Sequence, residues 1–113
     1  MEKKVNIEGR VLSLATYKPK AGQEEALMKL VEKHLPKLRE LELATSRENY
    51  IAQAQDGTII EVFEWASADA ITAAHRHPAV SDIWEKMSLV ADFLPINKLS
   101  ELNGPFADFK ILK

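Results

Sequence analysis

Apolar and polar side chains alternate along residues 10–17 (RVLSLATY), the period of two that marks a half-buried strand. Leu12 and Leu14 fall on one face of it, and Val11, Ser13 and Tyr17 on the other. Pro19 and Gly22 end the run, and the period lengthens. Leu27, Leu30, Val31, His34, Leu38 and Leu41 recur at spacings of three and four, one apolar stripe along a single helix. Glu24 and Glu25 open that helix, where negative charge suits the positive end of its dipole. Pro36 has no N–H and disfavours the α conformation at Leu35, which predicts a kink or a split after His34.

Two β-rich segments, residues 49–55 and 58–65, flank Asp56-Gly57, a strong short-range hairpin signal. A two-residue turn there pairs Gln55 with Thr58, Ile51 with Val62 and Asn49 with Glu64. Tyr50, Ala52, Glu61, Phe63 and Trp65 then share one face, with Ile51, Ile60, Val62 and Glu64 on the other. Ser67 is placed to cap a short helix with Asp69 in its first turn. Pro78 opens a second helix, on which Val80, Ile83, Trp84, Met87, Val90 and Ala91 are in register. Residues 94–112, interrupted by Asn103-Gly104-Pro105, read as two short strands.

The order β-α-β-β-α-β plus one terminal strand predicts an α+β fold of the ferredoxin-like kind, an antiparallel sheet with helices on one face. The other face is left open in a single chain, and the alternation assigns Tyr50, Phe63 and Trp65 to it. Covering such a patch stabilises by ~25 cal/mol per Å² of apolar area, so a homodimer is expected.

At 113 residues the chain is expected to form one domain over residues 1–113. Its 46% apolar and 28% charged residues are ordinary for a soluble globular protein. A net charge of −2 supplies no basic field for nucleic acid. The absence of cysteine excludes disulfides, a thiolate nucleophile and thiolate metal ligands. Residues 1–10 lack the apolar core of a signal peptide, and no apolar run approaches the ~18 residues of a membrane span. A cytoplasmic address is therefore expected. The four glycines are scattered and form neither GxGxxG nor GxxxxGK[ST], so no nucleotide cofactor is expected.

Three stretches carry a likeness to known proteins: YKPKAGQEEAL at the start of the first helix, DGTIIEVFEW in the hairpin, and ASADAITAAH ending in His75. The chain resembles the dimeric α/β-barrel superfamily over nearly its whole length, and within it the antibiotic-biosynthesis-monooxygenase-like domains. The resemblance implies that two open sheets pair into a barrel and enclose a ligand cavity. Activities known among such proteins include cofactor-independent oxygenation of aromatic polyketides and haem degradation. Two positions depart from the pattern. Many members place a second histidine with an aromatic neighbour soon after the position of His75, where this chain reads Arg76, His77, Pro78, Ala79 and Val80. The iron-ligating histidine of the haem-degrading branch falls near Trp84, and no histidine lies there.

His75 is the leading catalytic candidate. It ends the short helix after Trp65, where an imidazole takes a proton from an acidic phenol or enolisable carbon near neutral pH. The plainer alternative is a helix-end histidine bonded to a carbonyl and favoured by the dipole. His34, centred on the first helix's stripe, is either a satisfied core histidine or a second acid/base group at the cavity mouth. His77 suits a cap before Pro78, since a His-x-His metal pair needs a third ligand and none stands at such a spacing. Ser13, Tyr17, Glu61, Phe63 and Trp65 are expected to bound a cavity formed on dimerisation, with His75 at its rim. Trp84, at helical spacing with Val80 and Met87, reads as core. The expected function is a small enzyme acting on an aromatic or enolisable molecule without a cofactor or metal. The alternatives are a ligand-binding or sensing homodimer without chemistry, and a protein-interaction module of the same fold.

Overall fold

In the computed structural model, which describes residues 9–113, five strands and three α-helices build an α+β fold. The polar N-terminal stretch read against a signal peptide lies, through Glu8, outside the described residues. The chain runs β1 (Val11–Pro19), α1 (Glu24–Glu40), β2 (Tyr50–Gln53), β3 (Ile59–Trp65), α2 (Ala68–Arg76), α3 (Pro78–Val90), β4 (Ala91–Phe93) and β5 (Lys110–Ile111). The strands lie in the order β4-β1-β3-β2-β5, and every neighbouring pair is antiparallel. Among the described residues no helix is long and apolar enough to cross a membrane.

The short helices start where local chemistry dictates. Ser67 Oγ accepts from the Ala70 amide at 3.1 Å, and His77 Nδ1 accepts from the Ala79 amide at 3.1 Å just ahead of Pro78. Helix α1 is not split after His34: it continues as one helix through Pro36 to Glu40. Glu32 and Pro36 are both exposed, so the Glu32 carbonyl that loses its N–H partner is on the outer side of the helix, while Leu35 and Leu38 anchor the same turn in the core. The tail also differs. Strand β4 begins at Ala91, and residues 94–112 hold two 3₁₀ turns (Ile96–Lys98 and Ser100–Asn103) and the one short strand β5.

The hairpin closes through a three-residue loop. The Ala54 amide donates to the Thr58 carbonyl at 2.9 Å and the Gly57 amide to the Ala54 carbonyl at 3.0 Å. Gly57 adopts φ 92°, the left-handed residue that follows a type I turn in a bulged hairpin. The Asp56 carboxylate fixes the loop by accepting from the Thr58 amide at 2.9 Å. The extra loop residue shifts the register by one, to Tyr50↔Val62 and Ile51↔Glu61. A one-residue slip turns every side chain over. Tyr50 and Ala52 therefore lie on the face opposite Phe63, and Ile51 joins the helix-side core.

The helices cover the face bearing Tyr17, Ile51, Ile59, Phe63 and Trp65, not the opposite one as expected. That face carries the large rings, and only three amphipathic helices supply enough apolar surface to bury them. On the other face, Leu99 with Ile96, Leu102 and Phe109 covers Ala52 and Ile60. Leu12, Leu14 and Tyr50 stay exposed there at 68%, 46% and 44%.

Candidate functional site

Alternation along β1 and β3 sends Ser13, Tyr17, Phe63 and Trp65 to the helix side, and register sets Ser13 across from Phe63. Between these strands, the three helices and the tail lies a cavity of about 560 Å³. Its walls are Ser13, Leu14, Ala15, Thr16, Tyr17, Phe63 and Trp65 from the sheet, His34, Ile71, His75 and Trp84 from the helices, and Phe93 to Ile96 from the tail. Five of the predicted site residues, Ser13, Tyr17, Phe63, Trp65 and His75, thus meet at one cavity with His34. It lies between the sheet and the helices of one chain, so these residues share the helix-covered face and not the open face to which the alternation assigned them.

Glu61 stands behind the wall rather than in it. Fully buried, its Oε1 accepts from the Tyr17 hydroxyl at 2.8 Å and lies 2.8 Å from His34 Nδ1. His34, also buried, receives the Trp84 indole N–H at Nε2, 2.8 Å away. An indole nitrogen only donates, so Nε2 is the acceptor and the ring proton of neutral His34 resides on Nδ1, aimed at Glu61. Burial first, then the charge of Glu61 and the hydrogen bond to it, push the Tyr17 hydroxyl pKa well above its usual 10. Glu61 Oε2 has no partner among the described residues. Glu61 also lines a second cavity of about 370 Å³ with Ile51, Arg39, Asn49 and Lys113.

The two candidate histidines therefore differ in availability. Both nitrogens of His34 are engaged, and it can accept a proton only by giving up its Trp84 bond. His75 is exposed at the cavity rim, its ring 4.9 Å from that of Trp84, and its side chain makes no hydrogen bond among the described residues. An imidazole so placed is free to exchange protons with a bound molecule and then with water. His77 caps α3. Among the described residues no group of three or more His, Asp and Glu is placed to hold a metal ion.

Trp84 and the tail residues were missed as cavity walls. Trp84 shares its helix face with core residues, and the one available signal was a histidine in an apolar stripe, which needs a donor or acceptor nearby. The tail's part depends on the Thr16 hydroxyl donating to the Leu94 carbonyl, a contact between residues 78 apart in sequence. No protein-family model matches the chain, and no curated protein matches it in sequence.

Proposed function

We propose that this chain is a small-molecule enzyme of the cofactor-independent monooxygenase-like type, on a ferredoxin-like fold, acting on an aromatic or enolisable substrate. The observation that supports the reading best is the cavity, within the usual 300–1,000 Å³ of small-molecule sites and walled by Tyr17, Phe63, Trp65, Trp84 and Phe93. Its rings suit a flat apolar body, and His75 supplies an accessible base at the rim. In this reading His75 takes a proton from an activated methylene, and the resulting carbanion reacts with dioxygen. One oxygen atom stays as the new carbonyl and the other leaves as water, so CH₂ and O₂ become C=O and H₂O. Two copies pair through the open sheet face.

Oxygen uptake with anthrone, whose methylene is doubly activated, tests the chemistry. The wild type should exceed the uncatalysed rate, and His75→Ala should lower kcat about 10²-fold or more while changing Kd little. Full activity in His75→Ala, or no uptake by the wild type, overturns the enzyme. Binding without turnover leaves the ligand-binding homodimer as the better account.

A further inference from the structure

Seven side chains on the cavity wall carry an N–H or O–H group, and the hydrogen bonds of five are fully assigned. Thr16 donates to the Leu94 carbonyl and Tyr17 to Glu61; His34 uses both nitrogens; Trp84 donates to His34. The fifth, Trp65, donates its indole N–H to Ser13 Oγ at 2.7 Å. That bond decides the orientation of the hydroxyl. An indole cannot accept, so Ser13 Oγ is the acceptor and its own proton points elsewhere. Ser13 is half-buried on the cavity wall, and its hydroxyl donates to no group among the described residues.

We infer that the Ser13 hydroxyl, aligned by Trp65, is the hydrogen-bond donor that selects ligands bearing a carbonyl or phenolate oxygen on an otherwise apolar aromatic body. The inference rests on the cavity being the ligand site and names what that site discriminates. With every other side-chain donor on the wall committed except His75 at the rim, an oxygen left unpaired deeper in these apolar walls costs binding, whereas one facing Ser13 does not. Oxygen at Ser13 and an acidic C–H toward His75 describe an aryl ketone with an enolisable carbon. A donor there also meets the charge that grows on the ketone oxygen as the proton leaves.

The test compares 1-tetralone with tetralin, which has the same rings and lacks the carbonyl. Trp65 and Trp84 both line the cavity, so quenching of their fluorescence reports binding directly. The wild type should prefer tetralone. Ser13→Ala should weaken tetralone about fivefold, the ordinary worth of one hydrogen bond, and leave tetralin unchanged; Ser13→Thr should retain the preference. If Ser13→Ala does not fold, Ser13→Cys, a weak donor of similar shape, reads the same ratio. Equal losses for both compounds, or no loss for either, overturn the selecting role while the cavity reading stands. If the wild type binds neither compound, both fall together.

Discussion

Tyr17 concentrates several forces on one hydroxyl. It is 6% exposed and donates to a buried carboxylate. Removing the hydroxyl in Tyr17→Phe should cost about 1.5–3 kcal/mol near neutral pH, the worth of a hydrogen bond to a charged group. The same bond makes stability depend on alkaline pH. The folded pKa lies well above 10, so the unfolded chain releases its proton first. The stabilisation is complete below the unfolded value of ~10 and is lost as pH rises from there through the folded value, at up to ~1.4 kcal/mol per pH unit. Urea unfolding from pH 8 to 11 should show wild type and Tyr17→Phe converging; parallel curves would show that the Tyr17 proton is not held by the fold. Alternation alone placed Ser13, Tyr17, Phe63 and Trp65 on a common face. The partners of His34 were beyond it, because Glu61 and Trp84 lie 27 and 50 residues away and meet it only through packing.

At the scale of elements, the hairpin shows what a turn motif does and does not specify. Asp56-Gly57 located the reversal and the positive φ at Gly57, but two-residue and three-residue loops both use that pair. The choice fell to burial: the longer loop puts Ile51 in the core beside Glu61. Space around Gly57 is open, with nothing within 4 Å of an added Cβ, so a substitution there is opposed by backbone conformation alone. Gly57→Val should cost on the order of 1–2 kcal/mol, measured as a lower urea midpoint with unchanged slope. An unaltered midpoint would remove the turn's strain from the account. Helix α1 teaches the same lesson about Pro36: a local breaker is overridden when the turn on either side is anchored in the core.

For the whole molecule, element order was legible because each periodic run kept one period from end to end. Which face the helices would take was not legible, since β3 is apolar on both sides, with Phe63 and Trp65 on one and Ile60 and Val62 on the other. The outcome relocates the expected dimer surface to Leu12, Leu14 and Tyr50, which remain exposed. Light scattering at micromolar concentration should find a homodimer, and Leu12→Lys, a charge at the most exposed of these three side chains, should yield monomer. A wild-type monomer would leave the patch without its proposed partner.

Strand β4 is joined to β1 by only three residue pairs, and the cavity wall from Phe93 to Ile96 hangs from it. Parts of a protein open with free energies of their own, often far below that of global unfolding. The wall can therefore open on a free energy of its own, and if the cavity takes a ligand as proposed, strengthening that short ladder or the Thr16–Leu94 hydrogen bond should lengthen the ligand's residence time.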